Sequence, residues 1–249
     1  MRIMAPVLLL AFDTATPAVT VALHDGATVI ARYTEVDARR HGELLAPGIV
    51  RVLAEAGRGR MDVTDVAVGV GPGPFTGLRV GLVTALALGD ALGVPVHGIC
   101  TLDILAAAAA QPGRDQGAIG ADGRFAVAID ARRKEVYWAL YEDRPGSGPV
   151  RLGDPAVDWP HVVEDQVAGL PVAGEGPVKY PQHFPHRIEP LLPDAAVLAA
   201  LAVHRLTGGD GAGAGAYAGE ILPPYPLYLR RPDAVEPAAQ KPVSSPALR

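Results

Sequence analysis

Two short stretches hold the carboxylates best placed to do chemistry. Asp13 and Asp130 each end an apolar run, Ala11-Phe-Asp13 and Ala128-Ile-Asp130. Six residues after each Asp a valine opens a second run, Val19 with Ala22-Leu23 and Val136 with Ala139-Leu140. The offset between the copies is constant at 117 residues (13 to 130, 19 to 136), and an acidic residue recurs at Asp25 and Glu142. Strand, Asp, turn and returning strand, written twice, predict a duplicated α/β fold with both turns facing one cleft. A turn of this kind holds phosphate only where its backbone amides can approach closely, as glycine allows. The turns here are Asp13-Thr-Ala-Thr-Pro-Ala18 and Asp130-Ala-Arg-Arg-Lys-Glu135. Neither contains glycine, and Pro17 has no amide hydrogen to donate. The residues therefore predict degraded phosphate turns at Asp13, Thr14 and Asp130, with no catalytic site and no cofactor bound by this chain.

The remaining chemistry-bearing residues are scattered. The seven histidines are His24, His41, His97, His161, His183, His186 and His204, and no two lie at metal-binding spacing on a patterned helix. His41 with Glu43 reads as a helix start. Ser147, Ser244 and Ser245 fall in loop or tail, so no Ser–His–Asp order emerges. The single cysteine, Cys100, reads as a packing residue and suits a reducing, cytoplasmic setting. Gly71-Pro-Gly-Pro-Phe-Thr-Gly77 could open an anion site at a helix start. It has no lysine at the necessary spacing, and Pro72 and Pro74 each remove a donor, so a rigid turn is the expectation.

Strands are expected over 8–13, 19–23, 28–33, 65–70, 95–99, 125–130, 135–141 and at 172–176. Helices are expected over 41–56, with Pro47 kinking or starting it, over 76–92, over 101–110 with Thr101 as N-cap, and over 194–206 with Asp194 as N-cap. The polar stretch 111–123 reads as a boundary, which divides the chain into 1–112, 113–231 and a Pro/Ala-rich, disordered tail at 232–249.

The helix over 76–92 poses the sharpest packing question. Gly77, Gly81, Ala85 and Gly89 recur every four residues and stack as one ridge. Glycine inside a helix costs roughly 1 kcal/mol relative to alanine, so a close backbone neighbour is required. That neighbour is either the chain's own sheet or a second polypeptide. The expectation adopted is an interface formed by Gly77, Gly81, Ala85 and Gly89 with Leu45, Ile49 and Leu78. Arg79 and Asp90 flank a run judged too short to cross a membrane. Arg132-Arg133-Lys134 is the densest basic spot in a chain of net charge −5, and is expected either to contact nucleic-acid phosphates or to be a solvated turn. At the N-terminus, Arg2 and the apolar run from Ile3 imitate a signal peptide, but strand alternation resumes at Val19; Met4 is an alternative start.

Doubled strand–Asp–turn–strand units resemble the actin/hexokinase/Hsp70 superfamily, which implies a duplicated actin-like fold with two RNase H-like subdomains. More narrowly, Leu10-Ala-Phe-Asp-Thr-Ala-Thr16, His41-Gly-Glu-Leu-Leu-Ala-Pro47, Gly71-Pro-Gly-Pro-Phe-Thr-Gly-Leu-Arg79, Thr101-Leu102, Ile129-Asp-Ala-Arg132, Glu135-Val-Tyr137 and Tyr228-Leu-Arg230 resemble the bacterial TsaB family. The resemblance is dense over 8–141. It implies a non-catalytic scaffold and dimerisation subunit of the machinery that makes N6-threonylcarbamoyladenosine beside the anticodon of tRNAs reading ANN codons. Its implied partners are TsaD, the ATPase TsaE and tRNA, with a homodimer when alone. ATP and metal ion are implied at the partner subunits, and no membrane is involved. An actin-fold small-molecule kinase, similar to type III pantothenate kinase, is the alternative and would need glycine after Asp13. A metallopeptidase-like hydrolase is a third reading and lacks ligands.

Overall fold

The computed structural model describes residues 7–144, 147–207 and 220–229. The expected tail at 232–249, the glycine-rich stretch 208–219 and residues 1–6 lie outside them. A first sheet has the order β3-β2-β1-β4-β5, from β1 (Leu9–Asp13), β2 (Ala18–His24), β3 (Val29–Val36), β4 (Asp65–Gly69) and β5 (Val96–Ile99). The β1–β2 and β2–β3 pairs are antiparallel, and β1–β4 and β4–β5 are parallel. A second sheet repeats this plan in reduced form, as β10 (Val172–Ala173), β6 (Arg124–Asp130), β7 (Val136–Arg144) and β8 (Gly148–Arg151), with β9 (Ala156–Asp158) also on β7. The duplicated actin-like α/β architecture is thus present.

Helices cover both faces of each sheet. On the first, Leu10 and Phe12 of β1 face α1 (His41–Glu55) and α2 (Phe75–Leu92), while Leu9 and Ala11 face the opposite layer. Strand alternation with apolar residues on both sides is what a fully buried central strand requires. The opposite layer is α3 (Thr101–Asp115) and α6 (Ala195–Thr207). Ala11, Ala22 and Ala67 of the sheet meet Ala195, Ala199 and Ala202 of α6, so small side chains on both partners let helix and sheet close up. Helix α3 is shared: Ile104 and Ala107 pack toward the first sheet, and Leu102, Leu105 and Ala106 toward Phe125 and Val127 of the second. The far face of the second sheet is covered around Val163 of α4 (Pro160–Gln166), Val167 and Phe184, beside the short α5 (Gly176–Lys179).

Local differences from the sequence reading have physical causes. Helix α3 runs through Pro112 to Asp115, so the expected boundary at 111–123 is half helical. Its cap position is Cys100, whose backbone is still extended, and Thr101 is already helical with its hydroxyl on Asp13. The weakly patterned stretch before Pro171 holds β8, β9 and α4, elements too short to display a period. The two hairpins are not identical either: Asp13 pairs with Thr20 but Asp130 with Val136, so the first loop is one residue longer. Helix α6 follows the second sheet in sequence yet packs on the first. By length and composition α2 is long and apolar enough to cross a membrane, contrary to the expectation that it is too short, but its glycine side packs on the sheet.

Candidate functional site

Asp13 ends β1 fully buried, and both its oxygens are taken. Oδ1 accepts from the Ala15 amide at 2.6 Å, and Oδ2 accepts from the Thr101 hydroxyl at 2.7 Å. Thr101 Oγ1 in turn accepts from the Gly71 amide at 3.2 Å, which ties the glycine-proline turn to the carboxylate. Gly69 must be glycine, because a Cβ there would occupy the Asp13 carboxyl. Burial raises the Asp13 pKa, with the Ala15 amide, the Thr101 hydroxyl and nearby His41 pulling the other way. Ala18 N–H is spent on Thr16 Oγ1, and His41 Nε2 lies 2.8 Å from the Thr16 carbonyl oxygen. The turn is therefore closed on itself.

Asp130 ends β6 and is held as firmly. Lys179 Nζ lies 2.6 Å from Oδ1, Arg132 Nη1 lies 3.4 Å from Oδ2, and the Arg132 amide donates to Oδ1 at 3.0 Å. Arg132, Arg133 and Lys134 all have positive φ, between 52° and 64°, an unusual run for residues with a Cβ. That left-handed run closes the shorter loop. It also splits the basic cluster expected to act as one patch. Arg132 turns into the cleft with Thr14 and Thr16, whereas Arg133 and Lys134 face a different groove with Trp159.

Between the two turns lies a cavity of about 210 Å³, lined by Thr14, Thr16, His41, Pro74, Gly77 and Arg132. Both Asp-bearing turns do border one cleft. Its volume falls below the roughly 300–1,000 Å³ of small-molecule sites. Within the first turn the Ala15 and Ala18 amides are spent and Pro17 has none. Among the described residues, no group of three or more His, Cys, Asp or Glu is placed to hold a metal ion. Burial, then Asp103, pushes the Cys100 thiol up to about 12, which rules out a thiolate nucleophile near neutral pH.

The glycine ridge is used inside the chain, which corrects the expected interface. Thr14 Oγ1 donates to Gly77 O at 2.8 Å and accepts from Gly81 N at 3.0 Å. One hydroxyl thus bridges the carbonyl and amide four residues apart in α2. A Cβ at Gly77 would strike the Thr14 carbonyl oxygen, one at Gly81 would come to 2.5 Å from Thr14 Oγ1, and one at Gly89 would strike Val96. Ala85, Leu45, Ile49 and Leu78 are buried in the same core. None of these seven is available to a partner. The outward side of α2 carries Val83 and Leu86, respectively 65% and 42% exposed, and α1 alongside it carries Val50, 67% exposed.

A buried polar cluster escaped sequence reading altogether. Asp103 of α3 accepts from Tyr141 Oη at 2.9 Å, and pairs with Arg151 at 2.7 Å and Arg205 at 3.2 Å. Its partners come from β7, β8 and α6, between 38 and 102 residues away in the chain, and no local pattern announces it.

Comparison with known proteins fits this geometry. The family model described as TsaD, tRNA N6-adenosine threonylcarbamoyltransferase, matches residues 28–164. A solved structure of YeaZ from Pseudomonas aeruginosa is 34% identical and superimposes with a TM-score of 0.69 over 89% of this chain and 99% of that one. The chain belongs to the TsaB (YeaZ) family. A Mycobacterium tuberculosis relative is 42% identical over 234 residues, 90% of this chain and 92% of its own. The Escherichia coli tRNA threonylcarbamoyladenosine biosynthesis protein TsaB is 41% identical over 138 residues. That match spans about half of each protein, 54% of both. The TsaB motifs between Leu10 and Tyr137 fall on the two turns and the starts of α1, α2 and α3, and they include the cleft-lining Thr14, Thr16, His41, Pro74, Gly77 and Arg132.

Proposed function

We propose that this chain is a non-catalytic subunit of the machinery that makes N6-threonylcarbamoyladenosine in tRNA, working in the cytoplasm. In this reading it pairs with TsaD, assembles with TsaE, and forms a homodimer when alone, while ATP and metal ion act at the partner subunits. One observation supports the absence of catalysis: both oxygens of Asp13 are committed to Ala15 and Thr101, in a turn where the Ala18 amide is spent on Thr16 and Pro17 has none. The pairing surface is transferred from the buried ridge to the outward side of the same helix. Val83 and Leu86 on α2, with Val50 on neighbouring α1, are exposed apolar residues on two adjacent helices. Apolar faces of that kind mark contact sites on proteins otherwise covered by polar groups.

The test is co-purification with TsaD and ATP turnover by the chain alone. The purified chain is expected not to hydrolyse ATP. A Val83→Glu/Leu86→Glu double variant is expected to lose TsaD while melting within about 2 °C of wild type, as substitutions at exposed positions do. ATP hydrolysis abolished by Asp13→Ala, or full TsaD binding by the double variant, overturns the corresponding half of the proposal.

A further inference from the structure

On the side of the second sheet away from the cleft, an open groove of about 460 Å³ separates the Arg133–Lys134 turn from the start of α4. Its chemistry differs from the rest of this acidic chain. Trp159 is 54% exposed, which is unusual for the largest aromatic side chain. The indole lies nearly parallel to the His161 ring, 11° between planes and 5.9 Å between centroids, so it is held as a flat surface. Tyr180 lines the groove, with Lys179 Nζ 5.7 Å from its ring centroid. The Tyr180 hydroxyl is buried and has no hydrogen-bond partner, a state that buried polar groups rarely tolerate. Arg133 and Lys134 are exposed at the opposite rim, and Gln182 adds an amide able to donate and accept.

We propose that this groove binds an unstacked nucleotide of single-stranded RNA, with its base on Trp159 and its flanking phosphates against Arg133 and Lys134. An exposed aromatic plane beside paired cations is the combination that single-stranded nucleic acid requires: every base has a π-face, and the backbone supplies the charge. A duplex conceals its base faces and cannot use the indole. The exposure of Trp159, Arg133 and Lys134 along an open groove supports a chain over a deeply enclosed metabolite. The inference rests on the reading of this chain as a tRNA-modification subunit, for that reading supplies an RNA with a single-stranded loop.

The chain contains two tryptophans. Trp138 is buried, its indole N–H donating to Asp158 at 3.0 Å, so ligand-dependent fluorescence reports Trp159. Titration of the full chain with a single-stranded RNA oligonucleotide is expected to quench that fluorescence and saturate. Because Trp159→Ala removes the reporter, its affinity is read by anisotropy of end-labelled RNA. That variant is expected to bind at least about five-fold more weakly, the lower end for one stacked base. Arg133→Ala/Lys134→Ala is expected to weaken binding and lower the salt slope by roughly 0.7 for each phosphate no longer neutralised. Adenosine monophosphate that quenches as tightly as the oligonucleotide would assign the groove to free nucleotides and overturn the RNA proposal. Duplex RNA of the same sequence binding equally well, or unchanged affinity in Trp159→Ala, would overturn it also. Co-purification of Trp159→Ala with TsaD is measured in parallel. Lost RNA binding with retained TsaD separates this groove from the assembly surface, whereas a wild-type chain that never binds TsaD removes the broader reading instead.

Discussion

Asp13, at the end of the first strand of the repeat, has both carboxylate oxygens held by hydrogen bonds from its own surroundings. Its burial would be unfavourable for a charge, and the two donors that satisfy it are Ala15 N–H in the turn after β1 and Thr101 Oγ1 at the start of α3. Because its pKa is raised by burial, its protonated form is preferred more strongly in the folded than in the unfolded chain. The sign follows from linkage: this contribution favours folding below the unfolded pKa of about 3.9, and fades as pH rises through the higher folded value. Asp13→Asn removes the titration while keeping an acceptor for Ala15. The stability of wild type relative to Asp13→Asn, from urea midpoints, is therefore expected to fall between pH 3 and 7. A difference independent of pH would show that Asp13 titrates alike in both states. Asp13→Ala leaves two buried donors unpaired and should cost about 1–3 kcal/mol for each.

At the scale of the element, α2 has two faces with opposite duties. The inner face is glycine and alanine because Thr14 and Val96 stand where side chains would go. The outer face keeps larger apolar residues in solvent. Gly81→Leu, which sequence reasoning would use to separate partners, is instead expected to damage the fold. Leucine improves helix propensity by roughly 0.8 kcal/mol, but its Cβ already reaches Thr14 Oγ1, and overpacking costs typically 1–3 kcal/mol. A melting temperature several degrees lower is the expected result, on a scale of roughly 2–4 °C per kcal/mol for a chain of this size. A variant that melts like wild type would mean that Thr14 leaves α2 without penalty.

For the whole molecule, the important contacts are those that join the two sheets. Helix α3 gives one side chain set to each, and α6 crosses back to the first sheet. The segment 220–229 returns as well: Leu222 exchanges two backbone bonds with Gly98, Leu227 donates to Val70 O, and Tyr228 Oη accepts from Arg79 Nε at 3.0 Å. Asp103 is the polar counterpart of these apolar ties, because its partners Tyr141, Arg151 and Arg205 belong to three other elements. Asp103→Ala removes the carboxylate that the Arg151 and Arg205 guanidiniums share at a largely buried site, and removing one partner of such a pair costs about 3–5 kcal/mol. Chemical denaturation is expected to show that loss as one cooperative transition. Two separate transitions would instead mean that the halves fold independently.

Much of this was written in local sequence. The 117-residue repeat, the alternation of Leu9 to Phe12 and the helical spacing of α1 and α6 are short-range signals, and each maps onto an element because periodicity reflects burial directly. The lack of glycine at the two turns was equally legible, since amide availability depends on residue type. What neighbours the glycine ridge was not: four-residue spacing demands a close approach but is silent about which backbone approaches, and Thr14 lies 63 residues before Gly77 in the chain. Nor could sequence divide Arg132 from Arg133 and Lys134, for only the left-handed loop sends the first into the cleft and the others toward Trp159. The Asp103 cluster was hidden for the same reason. Sequence determined the longer elements and the glycine-free turns, whereas tertiary structure decided which faces meet, because contacts between distant residues are set by how the layers pack and not by any local pattern.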